Sequence, residues 1–172
     1  MQDVMKRCLE ERVDEEDDLV IRSEPLRLFL HGVPGAGKSK LLEWIRMFFE
    51  EVLGWTHGVE FVYLASQHTM TALIGGVTIH SFGNVKFRKK DGSLANNRAG
   101  KAKDMSAQFL KYERLRWVFI DECSTASAEN QAETEHNIRK SIRLEHTWAM
   151  GWRTQRGKRI PKARSWGGVD LF

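Results

Sequence analysis

The clearest chemistry in this 172-residue chain lies in eight consecutive residues, Gly32, Val33, Pro34, Gly35, Ala36, Gly37, Lys38 and Ser39. They fit the phosphate-loop pattern G-x-x-x-x-G-K-[ST] at every fixed position. A glycine-rich turn that runs into a helix N-terminus aims backbone N–H groups, and the positive end of the helix dipole, at an anion. Lys38 is positioned to reach the β- and γ-phosphates of a nucleotide, and the Ser39 hydroxyl to ligate Mg²⁺. A second constellation lies far downstream, where Trp117-Val118-Phe119-Ile120 ends in Asp121-Glu122. An apolar run closing on two acids is the shape of a Walker B strand. Asp121 would hold Mg²⁺, directly or through a water, and Glu122 would orient and deprotonate the attacking water. Many strands end in an acid, so this second signal gains its weight from the first. Together they read as a nucleotide-binding P-loop NTPase with ATP and Mg²⁺ as its ligands.

Those residues need a scaffold. Leu26-Arg27-Leu28-Phe29-Leu30 reads as a buried strand leading into the loop, followed by a helix from Ser39. On that helix Leu41, Leu42, Ile45, Phe48, Phe49 and Val52 recur at helical spacing as a core face, and Gly54 stops it. Phe61-Val62-Tyr63-Leu64 is a second strand, followed by the polar turn Ala65 to His68 and a short helical piece from Thr69 to Ile74. Residues 84–103 read as a basic surface loop or hairpin. Helical spacing returns over 104–115, and a polar helix is expected from Ser127 to about His146, with His136 and His146 on its surface. At the start, residues 2–13 suit a short helix with Val4, Met5 and Cys8 on one side, and the acidic run from Glu10 to Asp18 reads as an exposed linker. The expected organisation is an N-terminal helix and acidic linker over 1–25, then a P-loop ATPase lobe over 26–172. Strands alternating with helices predict an α/β fold with a largely parallel sheet flanked by helices.

Composition sets outer bounds. With 41% hydrophobic and 29% charged residues the chain is an ordinary globular sequence. No apolar run approaches the ~18 residues that span a bilayer. The N-terminus lacks the features of a secretory signal, so a nuclear, mitochondrial or cytoplasmic location is expected and secretion is not. Cys8 and Cys123 form neither a disulfide framework nor a zinc site. The net charge of +4 is unevenly spread. No acid occurs from Thr147 to Val169, where a basic segment, 151–166, holds Arg153, Arg156, Lys158, Arg159, Lys162 and Arg164 among tryptophans. Such a segment suits contact with a nucleic-acid backbone. On charge alone, however, a solvated and partly disordered tail is the expectation.

The stretch between the two Walker motifs narrows the family. Ala65-Ser66, then Ile74-Gly75-Gly76-Val77-Thr78-Ile79-His80-Ser81-Phe82, resembles motif Ia and its continuation in the Pif family of DNA helicases, which are RecD-like members of superfamily one. Asp121-Glu122-x-Ser124 is similar to that family's Asp-Glu-x-Ser, and Trp166-Gly167-Gly168-Val169-Asp170-Leu171 to its Phe-Gly-Gly-x-x-Leu. The order and spacing match over residues 26–172. Gln67-His68 and Met70-Thr71 depart from the family's Thr-Gly and Ala-Ala. Phe172 ends the chain ahead of the family's Gly-Asp-x-x-Gln-Leu-Pro-Pro and of its second RecA-like lobe. The resemblance therefore implies that 26–172 is a partial RecA-like P-loop ATPase lobe, with a fold incomplete at the C-terminus.

The resemblance implies an ATP-dependent motor that moves 5′ to 3′ on single-stranded DNA and unwinds forked duplex, a chemistry used in DNA repair and recombination. In that reading Thr78, His80 and Ser81 match the DNA-contacting positions, where hydroxyl and imidazole groups suit phosphate contacts. His80 equally suits a core role that positions its loop. The alternative is a stand-alone ATP–Mg²⁺-binding module with little turnover, because motor function needs the second lobe and its arginine finger.

Overall fold

The computed structural model describes residues 1–16, 24–33, 35–85, 110–142, 150–155 and 158–172. Four parallel strands form its centre: β1 (Phe61–Ala65), β2 (Val77–Thr78), β3 (Trp117–Asp121) and β6 (Asp170–Leu171), in the order β2-β1-β3-β6. Parallel registers pair Ala65 with Asp121, Ala65 with Thr78, and Trp117 with Asp170. Both faces of the sheet are covered, as parallel sheets require. Side chains alternate accordingly. Phe61, Tyr63, Trp117 and Phe119 face one layer, where α1 (Gln2–Glu16) contributes Val4 and Cys8, and α2 (Lys38–Met47) contributes Leu42 and Ile45. Val62, Leu64 and Val118 face the other, with Ile79 and Phe82 from α4 (Ile79–Gly83) and Ile138 from α5 (Ala128–Ser141). The α/β fold expected from the alternating pattern is the one observed. No helix among the described residues is long and apolar enough to cross a membrane.

Several elements differ from expectation for identifiable reasons. Residues 26–30 do not form a buried strand. Only Arg27 bridges to the sheet, beside Leu171, while Phe29 is 75% exposed and Leu30 38% exposed. Among the described residues the segment's sheet neighbour is β6, reached through Leu171. Val52 is likewise 64% exposed rather than core. After Met47 the helix widens into a π-turn over Phe48–Val52, with Leu53 N–H donating to Phe48 C=O. The extra residue per turn rotates Val52 off the buried face. At the start, α1 continues to Glu16, through most of the acidic run read as a linker.

The basic segment is also ordered differently. Instead of a disordered tail, β4 (Met150–Gln155) and β5 (Lys158–Ala163) pair as an antiparallel hairpin. Its return into the sheet is fixed by Arg27, which donates to Val169 C=O at 2.6 Å and Ser165 C=O at 3.1 Å. The polar helix begins where its cap dictates, with Ser127 accepting the Asn130 N–H at 3.2 Å. It ends at Ser141, short of the expected His146, which lies outside the described residues, as do the basic loop over 86–103 and the helical spacing over 104–109.

Two interactions lock α2 against the sheet. Tyr63 donates its hydroxyl to Leu42 C=O at 2.8 Å, and burial pushes its phenol pKa well up. Arg46 lies over the Tyr63 ring, 4.7 Å from its centroid, and donates to Gly75 C=O at 2.9 Å. Burial and the Arg46 guanidinium lower His57 to about 4, leaving its Nε2 unprotonated to accept the Tyr63 N–H at 3.1 Å.

Candidate nucleotide site

Because all four strands run the same way, their C-terminal ends, and the loops that follow them, share one edge. Ligands in open parallel α/β sheets bind at that edge. Here it collects the glycine-rich loop, the Ala65-Ser66 turn, the Thr78–Ser81 turn and Asp121-Glu122. The segment leading into the glycine-rich loop lies one strand away from β3, with β6 between them. At ~4.8 Å per strand, the loop's lead-in and β3 are about 10 Å apart. A nucleotide triphosphate spans that distance.

Within the loop, Gly35 and Gly37 have φ of 80° and 85°. These left-handed values explain why glycine recurs here. Gly37 caps α2, which begins at Lys38, one residue earlier than expected. Lys38 is half-buried and folds back over its own loop, donating from Nζ to Gly32 C=O at 2.8 Å and Val33 C=O at 3.1 Å. Val33, Gly35, Ala36, Gly37 and Ser39 are open to solvent, and Pro34 lies outside the described residues. The ammonium is thus held over the loop by two of the loop's own carbonyls.

Asp121 is half-buried at the end of β3, opposite Ala65. Glu122 is exposed and has left-handed backbone angles, φ 48° and ψ 51°. For an L-residue that conformation costs about 1–2 kcal/mol. It turns the chain sharply out of the strand and presents the Glu122 carboxylate to solvent at the sheet edge. The turn is held by Thr125, whose N–H and hydroxyl both donate to Glu122 C=O, at 2.9 and 2.8 Å. Gln131 supports it from α5, donating to Cys123 C=O and Ala126 C=O.

The other predicted site residues also fall at this edge. Thr78 is the N-cap of α4 and accepts the Ser81 N–H at 3.2 Å. Ser81 is exposed and His80 half-buried on the same turn. The Gly75-Gly76 pair that precedes them has a packing reason. A Cβ on Gly76 would overlap the Tyr63 carbonyl oxygen, so β2 approaches β1 only without a side chain there. A cleft of about 420 Å³ runs between α2 and α3 (His68–Ile74), lined by Ser39, Glu43, Arg46, Tyr63, Leu73 and Ile74. Sequence reasoning missed Thr125 and its contact with Ser66. Only the Ala65–Asp121 register brings the two together, and nothing local in the sequence encodes it.

No protein-family model and no curated protein matches the chain. Solved structures do. The Bacteroides Pif1 helicase in complex with ADP-AlF3 and single-stranded DNA is similar at a TM-score of 0.52 and 18% identity, over 94% of this chain and 30% of that one. The unliganded Bacteroides Pif1 is similar at 0.52 and 18%, over 92% and 29%. The chain has a Pif1-like, RecA-type helicase fold. A third structure, Bacteroides Pif1 bound to single-stranded DNA, gives 0.50 and 16%, over 91% and 29%. The chain therefore spans under a third of the length of the Pif1 chains it resembles.

Proposed function

We propose that the chain is the first motor lobe of an ATP-dependent DNA helicase that translocates 5′ to 3′. The observation that carries this reading is the convergence of Gly32–Ser39, the Thr78–Ser81 turn and Asp121-Glu122 on one edge of a Pif1-like sheet. In this reading the exposed N–H groups of Gly35, Ala36 and Gly37 cradle the ATP phosphates. Lys38 exchanges its two carbonyl partners for β- and γ-phosphate oxygens, a stronger charge-assisted pairing. Ser39 and Asp121 offer the hard oxygen donors that suit Mg²⁺, which needs only one or two protein ligands beside the phosphates. When bound, that ion neutralises charge on the transferring phosphate. Glu122 orients a water and takes its proton. Thr78, His80 and Ser81 contact the backbone of single-stranded DNA, and a second RecA-like lobe supplies the arginine finger.

The test is phosphate release by this lobe expressed with the remainder of its motor. Oligothymidylate is expected to stimulate release, and a duplex with a 5′ single-stranded tail to be opened in preference to one with a 3′ tail. Nucleotide binding without DNA-stimulated release would instead make the chain an ATP–Mg²⁺-binding module.

A further inference from the structure

The Ser66 and Thr125 hydroxyls are hydrogen-bonded to each other across the ends of β1 and β3. Thr125 has one hydroxyl proton, and it is committed to Glu122 C=O at 2.8 Å. A carbonyl can only accept, so the direction of the whole chain follows. Ser66 donates to Thr125, and Thr125 donates to Glu122. The register makes this contact possible, since Ala65 pairs with Asp121 and the next residue on each strand leaves the sheet at the same level. The relay ends on a residue with a left-handed backbone, Glu122 at φ 48°.

We propose that Ser66 and Thr125 are positioning residues that fix the Glu122 turn, and that a nucleic-acid phosphate oxygen taking the Ser66 proton loosens it. Ser66 also has one hydroxyl proton. A phosphate oxygen is an acceptor only, so it competes with Thr125 for that proton. Occupancy of the Ala65-Ser66 turn by a strand is thereby read at the carboxylate that handles the attacking water. Neither residue belongs to the glycine-rich loop, and both act through Glu122. The competing phosphate extends the DNA reading given above from the Thr78–Ser81 turn to Ser66, its neighbour through the Ala65–Thr78 pairing; the relay itself does not rest on that reading.

Amide hydrogen exchange on the 172-residue chain separates the two. Thr125→Val removes the hydroxyl while keeping the shape, and is expected to raise exchange at the Thr125 N–H roughly tenfold, with Thr125→Ser restoring the wild-type rate. Ser66→Ala is expected to raise it several-fold. Unchanged exchange in Thr125→Val or Ser66→Ala, or failure of Thr125→Ser to restore protection, overturns the relay. Saturating oligothymidylate, with binding followed by anisotropy, is expected to raise exchange at this turn in the wild type to the Ser66→Ala level, and to add nothing in Ser66→Ala. An oligonucleotide that binds and leaves exchange unchanged overturns the competition. An oligonucleotide that does not bind refutes the DNA reading and the competition with it, and the variants still decide the relay.

Discussion

Replacing Asp170 with alanine is expected to destabilise the chain by about 3–5 kcal/mol, the usual effect of stripping one partner from a buried ion pair. Asp170 sits inside the sheet on β6, 1% exposed, and its Oδ2 faces Arg7 Nε at 3.2 Å, itself on a side chain 5% exposed. The other carboxylate oxygen accepts the Leu26 N–H at 2.5 Å. One side chain therefore ties together α1, β6 and the segment that leads into the glycine-rich loop. Alanine would leave the buried Arg7 charge without this carboxylate and the half-buried Leu26 N–H without its acceptor. Against a typical total of ~5–15 kcal/mol, that is a large fraction. A fall in thermal midpoint of roughly 10 °C is expected. Asp170→Asn should fall between, since its amide oxygen can still serve Leu26. A midpoint unchanged in Asp170→Ala would show that α1 is not held through this contact.

Glu122→Gln is expected to lower phosphate release by on the order of 10²–10⁴ in the DNA-stimulated assay, the range for losing a positioned general base. Affinity for ATP should stay within a few-fold, and so should stability. Glutamine keeps the length and shape of the side chain and tolerates the left-handed backbone about as well. It is also exposed, so no buried contact is lost. The amide differs in one respect that matters: it cannot take a proton from water. Single-turnover release together with a nucleotide titration separates the two quantities. Lost affinity with the same variant would give Glu122 a structural role in the turn instead of a chemical one.

The parts of this molecule legible in its sequence are those set by local chemistry. The glycine-rich loop, the strand over Phe61–Leu64 and the apolar run into Asp121 each carry their signal within a few residues; the described structure places the two strands side by side in one sheet and the loop's lead-in beside β6. The Gly75-Gly76 pair was visible too, although its reason, the approach to the Tyr63 carbonyl, appears only in three dimensions. What was not legible depends on distant partners. Leu26–Leu30 looks like a buried strand by composition, but burial needs neighbours on both sides, and among the described residues only Leu171 pairs there. Asp170 reads as one acid in an apolar stretch until Arg7, far away in sequence, is packed against it. The hairpin over 150–163 is interrupted by Gly151 and Pro161 and crowded with positive charge, so its strand pattern was hidden. This hairpin also joins α5 to β6, so any test of its basic residues must spare Asp170.

The most direct test of the account is a calorimetric titration of ATP with Mg²⁺ into the 172-residue chain and into Lys38→Ala. Saturable binding at one site per chain is expected for the wild type. Loss of the only cation built into the loop should weaken it about 10–100-fold, as expected for a hydrogen bond to a charged group. Equal affinity in the two proteins, or no binding by the wild type, would contradict the assignment of Gly32–Ser39 as a phosphate cradle.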